Sequence, residues 1–438
     1  MKAYSGVYKK NVDTSKLFRM PWTSSDNAFS WLEITRRCNL YCDYCYQTND
    51  PHSDKTLFQV EKEVTTILRL RKCDTMFISG GEPLLHPELK MIVKMIKSYH
   101  VKPVLVTNGH LLTKEKVKEL KKAGAFGFIF HVDRGQSRPG WAGKSERELN
   151  VLRQKYTEMI HSEGGLICGF NTTVLPETLH EVPDIVHWTV RNIHKVCTNT
   201  FIPVRVPRED DPWDMYVHGE KIRFRDTAFS SKKYNNPSGT ILVSQDIYEQ
   251  VLKAVPLYRG NAFLGGTEVS DAPKWFFGNV IGTDRKIFGS LGPRTMEVLQ
   301  NGNHLLKGRF LSFLRPGLYG AGNALFVFSL IDRHIRKAFL SFLVTVLRNP
   351  LRIFKKVSVQ SLLILQPQDV LPSGKQDLCD GCPNKTYHEG RLVPMCRKEE
   401  YLSFGDMITL KKKGSEGRNL TEGKEENEVI PNQERASV

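Results

Sequence analysis

Three cysteines lie close together near the amino terminus of this 438-residue chain. Cys38, Cys42 and Cys45 form a C-x3-C-x2-C array directly after a strand-like run at 31–35. Three thiolates this close cannot all pair as disulfides, and a structural zinc site would need a fourth ligand nearby, whereas the next cysteine or histidine is His52. Three ligands and one open position suit a [4Fe-4S] cluster whose fourth iron binds something else. A small zinc knuckle and buried thiols are the alternatives.

A second motif, Ser79-Gly80-Gly81-Glu82-Pro83, ends the next strand-like run. Together with the aromatic Tyr44 before the third cysteine, the array and this motif resemble the signature of the radical S-adenosylmethionine (radical SAM) enzymes. The resemblance implies that the open iron chelates the amino and carboxylate groups of S-adenosylmethionine, and that one electron from the cluster cleaves the sulfonium to a 5′-deoxyadenosyl radical. Taken alone, the second motif could be an ordinary glycine turn before a helix.

Strands and helices alternate from about residue 30. The predicted strands lie at 31–35, 75–79, 103–107, 126–132, 166–174 and 200–206, and the predicted helices at 56–71, 87–99, 113–123, 146–162 and 178–194. This alternation predicts an α/β fold with a parallel sheet and right-handed crossovers, and six units are too few to close an eight-stranded barrel. The resemblance implies a partial (β/α)6 TIM-type barrel of the radical SAM kind over residues 30–206.

Polar residues lie where several predicted strands end, which is where functional side chains gather in such barrels. The resemblance implies that the backbone of Gly80, Gly81, Glu82 and Pro83 binds the methionine amino group and that Tyr44 lies beside the adenine. It also implies that polar residues from strands four and five contact the carboxylate and the ribose. The strand-end candidates for S-adenosylmethionine binding are Asn108, His131, Asp133 and Asn171. The alternatives are polar side chains that satisfy a turn and, for Tyr44, a packing aromatic.

A second cysteine group lies near the other end of the chain. Cys379, Cys382 and Cys396 form a C-x2-C-x13-C pattern with glycine and proline around the first pair, which suits a tight metal-binding knuckle. The pattern resembles the truncated auxiliary-cluster modules of the twitch or SPASM type that many radical SAM enzymes carry. It predicts a second iron-sulfur cluster, with zinc or unligated thiols as alternatives. Because a full auxiliary cluster has four cysteines, the fourth ligand stays open; candidates are His388, Asp380, Cys168, Cys197 or the substrate.

The segment 305–356 is both basic and apolar. It holds ten Lys or Arg and one acid, Asp332, and so contributes +9 of the net charge of +16. One predicted helix face carries Phe328, Ile331, Ile335, Phe339, Phe342 and Val346. Arg333 and Lys337 lie opposite, whereas Leu340, Val344 and Leu347 make the second half apolar nearly all round.

Three interpretations of this segment remain open. A basic helix with an apolar side is typical of contact with an anionic membrane surface or a lipid substrate. A core helix with basic ends explains the all-round apolar half equally well. Nucleic-acid binding is disfavoured, because the aromatics have the spacing of a helix core rather than of exposed stacking groups.

Composition and targeting signals bound the protein class. With 40% hydrophobic and 25% charged residues, the chain is globular rather than disordered. Nine cysteines in two groups of three, with Cys73, Cys168 and Cys197 scattered as expected buried thiols, indicate metal and a reducing compartment. The amino terminus has no secretory h-region, and no window reaches the roughly 18 apolar residues of a membrane span. We expect a cytoplasmic protein, either free or peripheral on the inner membrane face.

Beyond residue 206 the regular alternation ends, although a hairpin is predicted at 215–224 and a helix at 246–254. We divide the chain into a lead-in (1–29), the radical SAM core (30–206), an accessory substrate-determining region (207–304), a basic apolar helical segment (305–365), an auxiliary cysteine module (366–410) and a disordered tail (411–438). The extension is expected to be α+β and to carry the second metal site.

These features predict a radical SAM enzyme whose deoxyadenosyl radical abstracts hydrogen from a hydrophobic, lipid-like substrate, with flavodoxin or ferredoxin as the one-electron donor. The second metal site would hold substrate or accept an electron. The alternatives are a peptide or protein maturase of the SPASM kind and a non-catalytic iron-sulfur or zinc protein. No catalytic side chain beyond the cluster ligands is predicted.

Overall fold

One sheet runs through most of the molecule, whose computed structural model describes residues 12–232, 234, 236 and 238–414. A short strand, β1 (Phe18–Arg19), precedes the predicted barrel. The barrel strands are β2 (Phe29–Thr35), β3 (Thr75–Gly80), β4 (Lys102–Thr107), β5 (Gly127–His131), β6 (Ile167–Val174) and β7 (Thr198–Pro203). They pair in parallel in chain order from β2 to β7. The prediction of an open, partial (β/α)6 barrel is confirmed.

Five helices connect these strands and cover their outer side. They are α1 (Leu57–Leu70), α2 (Leu89–Ser98), α3 (Lys114–Ala123), α4 (Glu146–Glu163) and α5 (Val182–Arg191). The helices α1 and α4 begin at capping boxes built on Thr56 and Ser145, and Gly124 ends α3 in the left-handed conformation. The helix predicted at 178–194 starts with a 3-10 turn at Pro176–Glu181, and Pro183 lies in the first turn of α5.

The second half of the chain extends the same sheet and also forms a separate small sheet. Its elements are β8 (Trp213–Val217), β9 (Glu220–Ile222), α6 (Ser244–Ala254), β10 (Gly260–Leu264), β11 (Trp275–Gly282), β12 (Ile287–Ser290), α7 (Pro293–Lys307), α8 (Arg333–Arg348) and β13 (Ser358–Leu365). Strand β13 pairs in parallel with β7, and β11, β10 and β1 follow it, with β12 beside β11. The barrel sheet therefore continues past the boundary predicted at residue 206, whereas β8 and β9 belong to the separate small sheet.

The last part of the chain forms small elements around the second cysteine group. They are β14 (Asp369–Val370), β15 (Gln376–Asp377), β16 (Lys385–His388), β17 (Arg391–Pro394), α9 (Lys398–Phe404) and β18 (Thr409–Lys412). Strand β18 pairs with β8 of the predicted hairpin, so residues 411 and 412, which the sequence assigned to a disordered tail, lie in a strand. Residues 415–438 of that predicted tail lie outside the described residues.

The helix face predicted to meet a membrane packs into the core, so that part of the membrane interpretation is wrong. On α8, Ile335, Ala338 and Phe342 are buried against Phe288 and Val359. Phe288 lies in β12 and Val359 in β13. The apolar side of these two strands would otherwise be open to water, and the face of α8 with the regular apolar spacing covers it. Among the described residues, no helix is long and apolar enough to cross a membrane.

Candidate active site

Both cysteine groups line one cavity at the carboxyl ends of the barrel strands. The cavity has a volume of about 890 Å³. Its polar lining includes Cys38, Cys42, Cys45, Cys379, Cys382, Cys396, Gly80, Gly81, Asn108, His131 and Asn171. The sequence predicted these residues separately, and the fold brings them together. Of the other predicted site residues, Tyr44 also lines the cavity, whereas Glu82, Pro83 and Asp133 are buried behind its wall.

The two glycines after β3 allow the first cysteine loop to lie directly on the sheet edge. Gly80 has φ of 148°, and a Cβ there would come within 2.0 Å of the Thr35 carbonyl oxygen. A Cβ on Gly81 would come within 2.4 Å of the Arg37 carbonyl oxygen. The amides of Gly81 and Glu82 donate to these two carbonyls at 3.0 and 2.9 Å. Glycine is therefore required here by close backbone approach.

A second loop, which sequence analysis missed, pairs with the cysteine loop from the other side. Cys42 forms an isolated antiparallel bridge with Gln136, and the amide of Ser137 donates to the Tyr41 carbonyl at 2.7 Å. Gly135 lies against the ring of Tyr44, where a Cβ would come within 2.0 Å of a ring carbon. This backbone pairing leaves no periodic signal, and only the Gly135 turn marks it in the sequence.

The three thiols of the first group are partly buried and close to one another. Burial raises the pKa of Cys38, and burial followed by the charges of Asp133, Cys45 and Cys38 raises the pKa of Cys42. Burial and the nearby negative charges thus disfavour the thiolate form, and a bound metal ion would stabilise that form. Three such thiols therefore fit a metal centre that binds thiolates.

A four-iron cluster and a single metal ion place different demands on three thiols. Within the described residues, no three His, Cys, Asp or Glu side chains are gathered as a mononuclear metal would require. In a four-iron cluster each thiolate binds its own iron, so the three thiols need only surround a space. Cys38, Cys42 and Cys45 all line the cavity wall.

Glu82 faces the protein interior and ties two strand ends together. Its carboxylate accepts hydrogen bonds from the Thr107 hydroxyl at 2.6 Å and from the amides of Asn108 at 2.7 Å and Leu84 at 3.0 Å. Burial raises its pKa to about 6, even though these hydrogen bonds favour the charged form. The side chain of Glu82 thus holds the loops that follow β3 and β4 in a fixed relation.

A network of polar side chains fixes Tyr44 and His131 in the cavity wall. The Tyr44 hydroxyl donates to Asp133, and His131 Nε2 lies 2.7 Å from Asp133 Oδ2. The Thr173 amide donates to the same carboxylate at 3.1 Å. Burial alone would raise the pKa of Asp133, but His131 and the two hydrogen bonds hold it below its ordinary value. Asp133 therefore acts as a buried anchor for the two cavity-lining residues.

Asn108 is fixed by contacts to both neighbouring loops. Its amide group donates to Asn39 Oδ1 at 2.8 Å, next to the first cysteine. The buried Arg138 donates to the Asn108 carbonyl at 2.8 Å and to Gln136 Oε1 at 3.0 Å. Arg138 is a second residue that sequence analysis missed.

A buried arginine holds the second cysteine group against the barrel. Arg71, at the end of α1, is fully buried. Its guanidinium donates to the carbonyls of Cys382 at 2.8 Å and Pro383 at 3.1 Å, and to those of Phe29 at 3.0 Å and Ser24 at 2.6 Å. A hydrogen bond from Cys379 and the charge of Arg71 lower the pKa of Cys382.

A second buried cation lies on the other side of the same loop. Lys274 Nζ contacts Asp369 at 2.5 Å and Asp377 at 3.3 Å, and all three side chains are buried. Asp377 in turn accepts from the amides of Glu268 at 2.8 Å and Val269 at 3.3 Å. This charged cluster joins the strand before Cys379 to the loop after β10.

None of the protein side chains predicted as a fourth ligand lines the cavity. Cys168 and Cys197 are buried in the apolar core. Asp380 pairs with Arg19 at 3.0 Å, and the ring of His388 packs against Tyr401. None of these four side chains therefore shares the cavity with Cys379, Cys382 and Cys396.

Tyr46 lies between the two cysteine groups, and Lys232 contacts the loop of the first group. Tyr46 lines the cavity, and burial followed by the charges of Cys45 and Cys396 raises its pKa, so its phenol lies near one thiol of each group. From the accessory region, Lys232 Nζ donates to the Gln47 carbonyl at 2.9 Å. The region after residue 206 thus covers the first cysteine loop.

Large aromatic and apolar side chains form part of the remaining wall, beside polar ones such as Arg205 and Gln300. Its large side chains are Trp22, Phe29, Trp31, Phe77, Trp275, Phe277, Met296 and Phe313. Several of these rings pack edge to face or stack, such as Phe29 on Phe77 with ring centres 5.1 Å apart. The cavity therefore has a polar, thiol-rich side and an extended apolar side.

A family model described as the radical SAM superfamily matches residues 32–189. The chain is 34% identical over 86 residues to an S-adenosylmethionine-dependent nucleotide dehydratase of Selenomonas ruminantium, covering 20% of this chain and 31% of the relative. It is 28% identical over 171 residues to an AdoMet-dependent heme synthase of Methanosarcina barkeri, covering 36% and 46%. The chain spans less than half the length of these curated relatives.

Two solved structures are also similar. Streptococcus suis SuiB bound to the precursor peptide SuiA aligns with a TM-score of 0.38 and 15% identity, over 53% of this chain and 47% of SuiB. A structure of anSMEcpe with bound AdoMet aligns with a TM-score of 0.35 and 17% identity, over 52% of this chain and 58% of anSMEcpe. The family match covers the cysteine array, the glycine motif and the first five barrel strands. The chain therefore carries a radical SAM domain over residues 32–189.

Proposed function

We propose that this protein is a radical SAM enzyme that acts on a hydrophobic substrate. Cys38, Cys42 and Cys45 would hold a [4Fe-4S] cluster with one open iron. When bound, the cluster supplies the electron that cleaves S-adenosylmethionine to methionine and a 5′-deoxyadenosyl radical, which then takes a hydrogen atom from the substrate. The observation that carries this proposal is that the three thiols and the Gly80–Gly81 edge line one cavity at the carboxyl ends of the strands.

The side chains around the cavity would orient S-adenosylmethionine. Gly80 and Gly81 line the cavity, and their backbone would bind the amino group of the methionine part. Asn108, His131 and Asn171 present polar groups for its carboxylate and the ribose, and Tyr44 presents a ring for the adenine. Because Asp133 holds both His131 and Tyr44, these groups are ordered before the ligand binds.

The substrate would occupy the apolar side of the cavity. Its aromatic wall includes Trp22, Phe77, Trp275 and Phe313, and a cavity of about 890 Å³ is of the size that holds a ligand of several hundred daltons. Such a wall gains free energy by burying apolar surface and excludes water from a reactive carbon radical. We propose a lipid or another hydrophobic molecule as the substrate class.

Cys379, Cys382 and Cys396 would hold a second iron-sulfur cluster, with zinc as the alternative. The thiolate form of Cys382 is favoured by Cys379 and Arg71. Because the group faces the cavity, the substrate itself is the remaining candidate for the fourth position. This site would hold substrate or accept an electron. Flavodoxin or ferredoxin would supply the electron that reduces the cluster at Cys38, Cys42 and Cys45.

A peptide or protein maturase is the second candidate function. The observation that favours it is that the auxiliary-type cysteines open into the same cavity as the first group. The two substrate classes differ in chemistry, because a peptide needs polar partners for its backbone groups and a lipid does not. Incubation of the reconstituted enzyme with membrane lipid extract or with a peptide library would separate them by which pool gains a product mass.

The proposed activity is tested by anaerobic reconstitution with iron and sulfide, followed by dithionite and S-adenosylmethionine. We expect 5′-deoxyadenosine from the wild-type protein and none from Cys45→Ala. A wild-type protein that carries iron but forms no 5′-deoxyadenosine would contradict the proposal and would favour a non-catalytic iron-sulfur protein.

A further inference from the structure

One exposed surface of the protein combines large apolar side chains with basic ones. It lies on the side of α8 that faces away from the sheet and continues through the turn at Pro350–Phe354, which packs against α8. Its exposed apolar members are Leu340, Leu343, Val344, Leu347, Leu351, Ile353 and Phe354, and its exposed basic members are Arg333, Arg336, Lys337, Arg348, Arg352, Lys355 and Lys356. We call this surface the basic apolar face.

The apolar side chains of this face are exposed to an unusual degree. Leu347 is 81% exposed, Leu351 74% and Phe354 84%. These three side chains lie on α8 and on the turn that packs against it, rather than scattered over the surface. A contiguous exposed apolar patch indicates a binding partner. The core face of α8 is already buried by the sheet, so these side chains do not serve the fold.

All the exposed charges of the face have the same sign. Asp332 is the single acid between residues 305 and 356. It is buried, caps α8 and accepts hydrogen bonds from the amide and hydroxyl of Thr295 at 3.1 and 2.8 Å. Within the described part of the chain, the seven basic side chains have no carboxylate partner among the ion pairs. The partner should therefore be anionic and apolar at once.

We propose that the basic apolar face docks the protein on an anionic lipid bilayer, independently of the radical chemistry. Lipid headgroups supply negative charge at the depth of the Lys and Arg heads, and the acyl boundary takes up leucine and phenylalanine side chains. A second copy of the chain would bring seven more positive charges against these seven. Nucleic acid would require exposed stacking rings, and Phe354 is the single exposed aromatic of the face.

The same stretch of chain connects this surface with the cavity. Leu311, Phe313, Tyr319 and Leu325 line the cavity wall and precede α8 directly. The segment at Gly322–Leu330 packs against α8. If the substrate is a lipid, docking through this face would bring the cavity wall close to the surface that supplies it.

The test is co-flotation of the full-length protein with phosphatidylcholine vesicles, with and without phosphatidylglycerol. We expect binding to the vesicles with phosphatidylglycerol that weakens with added salt. Replacing Arg348, Arg352, Lys355 and Lys356 by Gln should lower the partition coefficient by more than about a hundredfold. Replacing Leu347, Leu351 and Phe354 by Asp should abolish binding. The matched control, Phe58→Asp with Val151→Asp, changes exposed apolar side chains on α1 and α4 and should bind like the wild type.

Three outcomes would overturn the proposal. One is wild-type protein that does not float with phosphatidylglycerol vesicles. Another is a Gln or Asp variant that keeps wild-type affinity while its unfolding temperature is unchanged. The third is a wild-type dimer, in the absence of vesicles, that the Asp variant converts to a monomer, because the face would then be an interface between two copies. Since every altered side chain is exposed, the variants should fold.

Discussion

The two cysteine groups line the same cavity but are built in different ways. Cys38, Cys42 and Cys45 lie in one loop after β2, and all three are partly exposed. Cys379, Cys382 and Cys396 come from two separate turns, and Cys382 is buried. The first group is placed by local chain spacing, whereas the second exists only when the turns on either side of a hairpin are folded together.

The supports of the two groups differ as well. The first loop is held by backbone hydrogen bonds from Gly81, Glu82 and the loop at 135–138. The second is held by the buried charges of Arg71 and Lys274. The first group should therefore be sensitive to a side chain added at Gly80 or Gly81, and the second to the loss of the charged side chain of Arg71 or Lys274.

The largest difference should appear when one thiol is removed from each group. Cys45→Ala should abolish 5′-deoxyadenosine formation, because the first group would bind S-adenosylmethionine. Cys379→Ala should keep abortive 5′-deoxyadenosine formation and lose the substrate-derived product. Chromatographic analysis of both compounds in anaerobic assays checks this. Equal loss of 5′-deoxyadenosine in both variants would mean that the groups do not have separate roles.

Arg71→Met should damage the second group selectively. It removes the donor for three buried carbonyls and for the less buried Ser24 carbonyl, at about 1–3 kcal/mol for each buried group left unpaired, so the free energy of unfolding should fall by several kcal/mol. Iron bound at the second group should decrease more than iron at the first. Urea unfolding and iron content of the variant measure both effects.

Arg69→Met is the matched control for this change, because Arg69 is exposed on the same helix. Arg69→Met should leave the free energy of unfolding and the iron content unchanged. If Arg69→Met and Arg71→Met behaved alike, the role of Arg71 as the support of the second group would be refuted.

Gly81→Ala should damage the first group selectively. The new Cβ would lie 2.4 Å from the Arg37 carbonyl oxygen, so the cysteine loop must move away, at a cost of roughly 2–4 kcal/mol. The affinity for S-adenosylmethionine should fall, as measured by equilibrium dialysis. Gly302→Ala in α7 is the control, since its Cβ would meet no atom within 4 Å, and it should be neutral or slightly stabilising.

The smallest expected effect concerns the pH dependence of stability at Glu82. Its pKa is raised from 4.5 to about 6 in the folded protein, so the folded state binds the proton more tightly than the unfolded state. The stabilisation is present below pH 4.5 and is lost as the pH rises through 6, and it amounts to about 2 kcal/mol. Glu82→Gln should remove this part of the pH profile in urea unfolding. A variant with an unchanged profile would show that Glu82 does not titrate there.

The sequence predicted the first group better than the second for a physical reason. The cysteine spacing, the Gly80–Gly81 turn and the strand and helix periodicities are local, and the structure follows them to within a few residues. The supports at Gln136, Arg138 and Arg71 are contacts between distant segments, and no periodicity marks them.

The largest departures from sequence expectation lie after residue 206. Strand β11 is buried along its whole length and so lacks the alternation that marks a half-exposed strand. On α8, both sides carry apolar residues, so the helical pattern alone did not reveal which side meets the sheet. The predicted face became the core, and the side with Leu347 remained exposed.

The most direct test of the account is the electron paramagnetic resonance spectrum of a reduced variant that keeps only the first group, with Cys379, Cys382 and Cys396 replaced by alanine. We predict the signal of a reduced [4Fe-4S] cluster that changes when S-adenosylmethionine is added. A spectrum that is identical with and without S-adenosylmethionine, or zinc in place of iron at the remaining three cysteines, would contradict it.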